Sequence, residues 1–555
     1  MKSKFIYKIL ANLAKIEYDN LHKLTLNTLS SQENLLLKLI KNNQATKFGK
    51  LHNFAGINNI TDFQNHLPVS EYNYFEPYIT QMANGQKNIL TYAEPFMFAS
   101  TSGTTGKQKL IPVNKTYINY FRKASIVSGY NLLKAYPKIS EGLTLSIFSS
   151  ANESLTPNGL PIGSISGALM KSEPQIVKKN ITAIPYEITS IKNWDAYYYT
   201  LLRIALTQPI TSIYTLNPST IMILCQYLTS YGNHLIKDIH DGSLNPGLDI
   251  NQDLRKKFKF KPDSQKAKYF DSLLNNNQFI PKYIWPNLQV VSCWTKASAS
   301  FYLSSLKQYF LDTPFVDISY GASEGRGSVF CNQHQQLLSI NAHFYEFIHE
   351  QEIGTKNPKI YLANELEINQ QYQILLTTQA GLYRYNIGDV IKVTGFINEC
   401  PTIEFSHKSN NISSFTGEKI TEYQVVEAFK QTSCRHKLEA NYFTLIPFYA
   451  TIPNYILLLE ITKSTDNYEL QQISKTFDDE LAKINIEYEH KRKSLRLGSI
   501  QTELLEPGTY NSLRNYLRSH GGFESQIKIS NLNPKTDIIT FLKNHLVKPS
   551  MFLIP

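Results

Sequence analysis

The chain has 555 residues, 42% hydrophobic and 18% charged, which exceeds a single typical core and excludes a disordered protein. It contains no run of roughly eighteen apolar residues, and its five cysteines form no CxxC pair, so the sequence predicts neither a membrane span nor a zinc or disulfide framework. Its net charge of +11 comes without a recognition motif, so we expect a lysine-rich surface and no nucleic-acid partner.

The N-terminal stretch MKSKFIYKILANLAKI predicts an amphipathic surface helix. Lysines interrupt its apolar residues and no small-residue cleavage site follows, which distinguishes it from a signal peptide. Leu35, Leu36, Leu39 and Ile40 recur at helical spacing and predict another helix.

Residues 96–113, FMFASTSGTTGKQKLIPV, join an apolar run to a loop of hydroxyls and glycines. Gly103 and Gly106 let backbone amides converge on an anion, and Lys109 adds positive charge. The hydroxyl donors are those of Ser100, Thr101, Ser102, Thr104 and Thr105. The spacing matches neither a Walker A loop nor a GxGxxG loop. By itself the stretch is either a phosphate-binding loop or an ordinary connecting turn.

The middle of the chain alternates strand and helix signals. Residues 210–228 predict a short strand, then a helix with Asn217 as N-cap and Pro218 in its first turn. LQVVSCW and FVDISYG are β-rich runs that end in turn residues, which together indicate an α/β core. Residues 254–268 carry the densest basic run and predict a solvated loop.

The stretch SYGASEG, residues 319–325, closes one of these β-rich runs. Tyr320 could cover a purine, Ser323 could donate to a phosphate, and Glu324 could bind Mg²⁺. The alternative is a strand end with an exposed glutamate.

The stretch GLYRYNIGDV, residues 381–390, places Asp389 after a glycine at the start of an apolar strand. A carboxylate there can accept hydrogen bonds from both hydroxyls of a ribose. The alternative is a simple turn aspartate.

The pattern changes after about Cys400 and predicts a compact α+β unit. Thr421 and Gln424 form a capping box, and YFTLIPFYATIPNYILLLEI predicts two strands. An apolar helix face follows, and Thr509 is the expected cap of a later helix. The residues on the apolar face are Leu470, Ile473, Phe477, Leu481 and Ile484.

Taken together, the three motifs resemble those of the adenylate-forming superfamily of acyl-CoA synthetases, adenylation domains and luciferases. Four longer stretches resemble the auxin-responsive acyl-acid amido synthetase family, especially its bacterial branch. They are FMFASTSGTTGKQKLIP, VSCWTKASASFY, NAHFYEFI and ILLTTQAGLYRYNIGDVIKVTGF. The resemblance extends over nearly the whole chain.

The resemblance implies a large multi-sheet α/β adenylation domain, residues 1–404, which binds ATP and the acid, and a smaller, mobile α+β domain, residues 405–555. It implies an enzyme that uses ATP and Mg²⁺. Because the five cysteines are scattered and form no CxxC pair, a reducing cytosol fits best, and we expect a cytoplasmic monomer. Such enzymes join a carboxylic acid to the amine of an amino acid through an acyl-AMP, without a nucleic-acid or membrane partner. A thioester ligase of the same superfamily and a non-catalytic nucleotide- or acid-binding protein remain alternatives.

The resemblance also implies roles for particular residues. The phosphate loop corresponds to Ser100, Thr101, Ser102, Gly103, Thr104, Thr105 and Gly106, with Lys109 beside it. The adenine and α-phosphate segment corresponds to Tyr320, Gly321, Ala322 and Ser323. Glu324 corresponds to the Mg²⁺ carboxylate, Asp389 to the ribose anchor, Lys408 to the basic hinge residue and Lys528 to the catalytic lysine of the mobile domain.

The chain departs from the family pattern at several positions. Lys408 and Asn386 stand where arginine is common, and a lysine lacks the bidentate guanidinium fork. Prolines that usually follow the catalytic lysine are missing after Lys528, so Lys535 and Lys543 are rival candidates. His343 is either a base toward the amine or a core histidine.

Overall fold

The structure of the protein is a computed structural model. The structure describes residues 2–101, 109–296, 301–409, 412–413, 418, 420–438, 440–448, 452–461, 465–494, 497–519, 529–533 and 536–547. The chain divides into two compact units. The first comprises Met1–Thr295, Tyr302–Ile387 and Lys392–Glu404, and the second comprises Lys296–Phe301, Gly388–Ile391 and Phe405–Pro555.

Helices and strands are mixed along the described part of the chain up to Lys408. The helices are α1 (Lys2–Thr25), α2 (Thr28–Asn43), α3 (Lys47–Leu51), α4 (Ile60–His66), α5 (Tyr72–Ala83), α6 (Lys115–Ala135), α7 (Ile165–Lys171), α8 (Gln175–Asn180), α9 (Trp194–Ala205), α10 (Pro218–Asp241), α11 (Gln252–Arg255), α12 (Ser264–Asn275), α13 (Pro281–Ile284) and α14 (Phe301–Phe310). The strands are β1 (Pro95–Thr101), β2 (Lys109–Asn114), β3 (Leu143–Ile147), β4 (Ser154–Leu155), β5 (Pro161–Gly163), β6 (Ile210–Thr215), β7 (Val290–Cys293), β8 (Phe315–Asp317), β9 (Ser328–Asn332), β10 (Gln335–Leu338), β11 (Phe344–His349), β12 (Ile360–Tyr361), β13 (Gln371–Thr377), β14 (Tyr385–Ile397) and β15 (Cys400–Lys408).

These strands form three sheets. Their orders are β2-β1-β5-β4, β3-β6-β7-β8 and β12-β11-β13-β14-β15-β10-β9. The β3-β6-β7-β8 sheet is parallel throughout, and β7 is buried along its whole length. Parallel strands are normally covered by helices, which explains why VVSC reads as a continuous apolar run. Side chains of α9 and α10 share its core.

The second unit is organised around a three-stranded sheet. Its elements are β16 (Ile412–Ser413), β17 (Ile420–Thr421), α15 (Glu422–His436), β18 (Ala440–Phe448), β19 (Asn454–Ile461), α16 (Asn467–Ile484), α17 (Ile486–Lys493), β20 (Gln501–Leu504), α18 (Thr509–Ser519) and α19 (Thr536–Lys543). The sheet order is β18-β19-β20. Successive β19 residues alternate between two cores, Leu457 packing with α15 and α16, and Leu458 with α18 and α19. This arrangement, with the first unit, confirms the predicted α/β fold class with a smaller α+β part.

Most of the local predictions are confirmed. Asn217 caps α10 and accepts from Ser219 N, and Thr421 and Gln424 form the predicted capping box of α15. One prediction is partly wrong. The basic run was expected to be a loop, but α11 and α12 include its two ends, because Asp263 accepts from Lys266 N and starts α12. A second expectation also differs: Thr509 does not precede α18 as a cap but is its first residue, and its hydroxyl donates to the Glu506 carbonyl. Within the described residues, no helix has the length and apolarity needed to cross a bilayer.

Candidate functional site

The predicted phosphate loop lies between antiparallel strands β1 and β2. Ser100 pairs with Leu110 and Thr101 with Lys109, and Ser100 is fully buried. The central loop residues lie outside the described part of the chain, so their roles stay predictions. They are Ser102, Gly103, Thr104, Thr105 and Gly106.

Tyr72 of α5 holds the start of β2 in place. Its hydroxyl accepts a hydrogen bond from Leu110 N at 2.8 Å and donates to the Leu110 carbonyl at 3.3 Å. The Lys109 ammonium lies 5.4 Å from the centre of the Tyr72 ring, within the range of a cation–π contact. Lys109 is therefore held beside the loop through an aromatic ring that the sequence analysis did not identify.

The segment of Tyr320 to Glu324 forms a tight turn. Gly321 and Arg326 pair as an antiparallel bridge, and Ala322 N donates to the Gly325 carbonyl at 2.9 Å. Ser323 and Glu324 therefore lie at the tip of this turn. Tyr320 precedes it, and its amide donates to Ser328 Oγ at 2.8 Å.

The Tyr320 ring lies directly against Gly327. A Cβ added at Gly327 would come within 2.0 Å of the Tyr320 Cδ1 atom, so only glycine leaves room for the ring. The Cδ1 and Cε1 side of the ring is thereby held close to the Gly327 backbone.

Glu324 is buried, with 7% of its surface exposed, so the alternative of an exposed glutamate at a strand end is wrong. Tyr117 of α6 donates from its hydroxyl to the carbonyl of the adjacent Ser323 at 2.8 Å. Burial raises the pKa of Tyr117 well above its usual range, and the nearby Glu324 charge raises it further. Burial also raises the pKa of Tyr72, and Glu324 contributes to that shift. Tyr117 lies in the first turn of α6, which directly follows β2, so the turn that carries Glu324 contacts the segment just after that strand.

His343 lies beneath the same turn. Its Nδ1 lies 2.9 Å from Gln379 Oε1, which can only accept, so Nδ1 carries the proton. Its ring stacks on Tyr117 with centroids 5.7 Å apart, and Nε2 has no partner among the described residues. Burial lowers the pKa of His343 to about 4, which keeps the ring neutral. A Cβ at Gly325 would lie 3.2 Å from the ring, so the turn rests closely on the histidine.

Asp389 lies within strand β14 and is buried, so the alternative of a turn aspartate is wrong. The Lys408 side chain is 43% exposed, and its ammonium forms an ion pair with Asp389 Oδ1 at 2.6 Å. Ser409 N donates to the carbonyl of the preceding Gly388 at 2.7 Å. The two residues predicted to bind the nucleotide thus contact each other within the second unit.

Two of the motif stretches meet within the first unit. Arg384 of GLYRY donates from Nε to Glu346 of NAHFYEFI at 3.0 Å, and both side chains are buried. Arg384 also donates to the Leu67 carbonyl at 2.7 Å. This ion pair fixes the chain just before β14 and has a structural role that sequence reasoning missed.

The lysine predicted to act in catalysis cannot be placed. Lys528 and its rival Lys535 lie outside the described residues, whereas the other rival, Lys543, is the last residue of α19. The assignment of Lys528 therefore stays a prediction.

Comparison with known proteins covers nearly the whole chain. Profiles of the GH3 family match in order: the N-terminal domain over residues 17–315, the central domain over 336–408 and the C-terminal domain over 423–536. The chain is 23% identical to the indole-3-acetic acid-amido synthetase GH3.3 of Arabidopsis thaliana, covering 95% of this chain and 93% of that protein.

Two further proteins extend the comparison. The 4-substituted benzoates-glutamate ligase GH3.12 of Arabidopsis thaliana is 25% identical, over 92% of this chain and 93% of its own. The solved structure of AtGH3.15 acyl acid amido synthetase in complex with 2,4-DB superposes with a TM-score of 0.86 at 21% identity, covering 96% of each chain. At that identity the superposition establishes the fold.

Proposed function

Because the chain belongs to the GH3 family, we propose that it is an AMP-forming amido synthetase that joins a carboxylic acid to the amine of an amino acid. The relatives compared are named as ligases of this kind. The observation in this chain that supports the proposal best is the buried Glu324 carboxylate, which lies in a turn whose Ser323 carbonyl accepts a hydrogen bond from Tyr117, in the first turn of the helix that follows β2.

The proposed reaction has two steps. A carboxylate oxygen of the acid attacks the α-phosphorus of ATP, the bond to pyrophosphate breaks, and an acyl-adenylate forms. The amine nitrogen then attacks the acyl carbon, the bond to AMP breaks, and the nitrogen loses a proton. In the first step both reactants are negatively charged, so catalysis consists mainly of positioning and charge neutralisation.

Residue roles follow from chemistry and from the family resemblance. The Tyr320 ring would lie against adenine, Ser323 would donate to the α-phosphate, and Asp389 would accept from the ribose hydroxyls. Lys408, which pairs with Asp389, would orient that carboxylate. The phosphate loop from Ser100 to Gly106 would bind the remaining phosphates.

Glu324 fits a Mg²⁺ ion because it offers a hard oxygen ligand, and Mg²⁺ commonly takes one or two carboxylates together with phosphate oxygens and water. When bound there, Mg²⁺ would neutralise charge on the phosphates as pyrophosphate leaves. The chain would supply the carboxylate and, through Tyr117, the fixed position of the turn.

Finer features of the proposal rest on the resemblance. Residues 1–404 would bind ATP and the acid, and residues 405–555 would move between the two steps and carry Lys528. We expect a cytoplasmic monomer without a nucleic-acid partner. Membership of a bacterial branch also stays a prediction, because the relatives compared come from plants.

The test is ATP–pyrophosphate exchange over a panel of aryl, indolyl and fatty acids, followed by mass spectrometry of products with amino acids or CoA. Exchange with an acid and an amide product would support the proposal. A thioester product with CoA would identify a thioester ligase instead. Absence of both exchange and ATP binding would identify a non-catalytic protein.

We predict that Glu324→Gln lowers Mg²⁺-dependent exchange by ~10² or more, because one preorganised charged group is lost. Glu367→Gln is the matched control, since Glu367 is exposed. Thermal unfolding should confirm that the Glu324 variant is folded. Exchange at the wild-type rate in low Mg²⁺ would show that the metal is held elsewhere.

A further inference from the structure

Helix α1 has two apolar faces rather than one. Ile6, Ala14 and Leu21 are buried. A second set of apolar side chains faces solvent, with exposed fractions of 66% for Phe5, 43% for Ile9, 59% for Leu13 and 57% for Ile16. Because these four are spaced by four, four and three residues, they form one stripe, the α1 stripe, about 16 Å long.

An amphipathic helix of a globular protein normally buries one apolar face and exposes a polar one. Single exposed apolar residues are common and need no explanation. Four aligned ones, including a phenylalanine, form a continuous apolar surface of the kind that marks an interaction site.

The charges around the α1 stripe are mainly basic. The first sixteen residues contain four lysines and no acidic residue, and the two acidic residues that follow, Glu17 and Asp19, pair with Lys123 and Lys15. Lys4, Lys8 and Lys15 lie four and seven residues apart, so they line one flank of the stripe. Lys15 pairs with Asp19 and Lys4 with Glu141, and both pairs are exposed. Exposed pairs of this kind are weak, so these lysines can exchange partners readily.

Self-association of two copies would bury the α1 stripe but would leave most of these lysines without a carboxylate partner. A second copy would offer these four lysines only two carboxylates from α1, Glu17 and Asp19, and both already pair with lysines, Lys123 and Lys15. A bilayer that contains anionic lipids satisfies both, because the apolar side chains enter the boundary between headgroups and acyl chains while lysines contact the phosphates.

We infer that α1 is a docking surface for an anionic lipid bilayer, through Phe5, Ile9, Leu13, Ile16 and the adjoining lysines. The helix lies on the bilayer and does not cross it. This revises the expectation of no membrane partner, and it is independent of the proposed amide synthesis.

The test is flotation of the full-length protein with vesicles of phosphatidylcholine, with and without phosphatidylglycerol, at low and high salt. We expect binding to the phosphatidylglycerol vesicles that weakens with salt. The Ile9→Ser, Leu13→Ser double variant should bind at least about tenfold more weakly, because two buried apolar side chains are lost. Lys4→Gln and Lys8→Gln should each weaken binding about fivefold.

Matched controls are Leu155→Ser, an exposed apolar residue outside α1, and Lys356→Gln, an exposed lysine of the same unit. Neither should change flotation. Unchanged thermal unfolding would show that the double variant is folded, as expected for exposed positions. Equal flotation with both lipid mixtures, or binding that the double variant retains, would overturn the inference. A wild-type dimer that the double variant turns into monomers, without vesicle binding, would assign the stripe to a second copy instead.

Discussion

The Tyr117 hydroxyl bonds to the carbonyl of Ser323, and Ser323 precedes the carboxylate proposed to bind Mg²⁺. We predict that Tyr117→Phe raises the Mg²⁺ concentration needed for half-maximal exchange several-fold, because the turn loses a fixed contact. Tyr383→Phe is the matched control, since that buried hydroxyl also donates to a backbone carbonyl, that of Leu90, at 2.8 Å.

Both tyrosine variants should lose stability by about 0.5–1.5 kcal/mol, because each loses one hydrogen bond to a backbone carbonyl. Chemical denaturation measures the loss of stability in each variant. Titration of pyrophosphate exchange with Mg²⁺ then shows whether the Mg²⁺ requirement also changes, which separates a positioning role from a stability effect. If both variants shift the Mg²⁺ requirement equally, the effect is one of stability, and Tyr117 does not position Glu324.

We predict that Asp389→Ala raises the KM for ATP roughly tenfold to a hundredfold, since a hydrogen bond to a charged group contributes about 1.5–3 kcal/mol. The partner Lys408 is partly exposed and can be hydrated, so the variant should fold. Lys408→Gln, which leaves the carboxylate in place, should have a smaller effect. Unaltered ATP kinetics in Asp389→Ala would remove this residue from the nucleotide site.

Among single residues, the sequence predicted the polar residues of the candidate site but not the residues that hold them in position. Glu324 and Asp389 could be selected because a carboxylate beside glycine and hydroxyl residues has a recognisable chemistry. Tyr117 could not, because its partner Ser323 lies 206 residues away in sequence and a tyrosine on a helix is most often a core residue. Tyr72 was missed for the same reason.

Elements with strong local signals were predictable. The strand β6, the capped start of α10 and the apolar face of α16 follow from periodicity and caps that act over a few residues. The basic run 254–268 was predicted as loop because its charge obscured a local signal, the Asp263 cap. The order of strands in the seven-stranded sheet could not be predicted from the sequence, because it depends on pairings between segments that are far apart along the chain.

The turn from Tyr320 to Ser328 allows a test of the ring as a nucleotide platform. We predict that Gly327→Ala displaces the Tyr320 ring and raises the KM for ATP roughly fivefold to a hundredfold, because base–aromatic stacking contributes about 1–3 kcal/mol. Gly129→Ala is the matched control. Gly129 lies in α6 with no atom within 4 Å of an added Cβ, so that variant should be slightly stabilised.

Combining Gly327→Ala with Tyr320→Ala gives the decisive comparison. If the glycine acts only through the ring, the double variant should be no worse than Tyr320→Ala alone. Additive losses would mean that Gly327 contributes independently of Tyr320.

For the whole molecule, the proposed two-step reaction predicts different requirements for the two steps. We predict that Lys528→Ala lowers pyrophosphate exchange by ~10²–10³, the usual loss for one preorganised donor. Amide formation from a supplied acyl-adenylate should survive, because the second step would use another orientation of residues 405–555.

The rival lysines provide the control for this prediction. Lys535→Ala and Lys543→Ala should leave exchange within a few-fold of wild type. If one of them abolishes exchange while Lys528→Ala does not, the catalytic role passes to that residue.

Gly388–Ile391 belong to the second unit, although β14 on both sides of them belongs to the first. During translation these four residues leave the ribosome before any of residues 405–555. At about 5–20 residues per second, the remainder takes on the order of ten seconds to emerge. Lys408, the ion-pair partner of Asp389, is part of that remainder. The surroundings of Asp389 are therefore completed only after synthesis of the first unit, so a nascent chain that ends at Glu404 should lack the ion pair that orients this carboxylate.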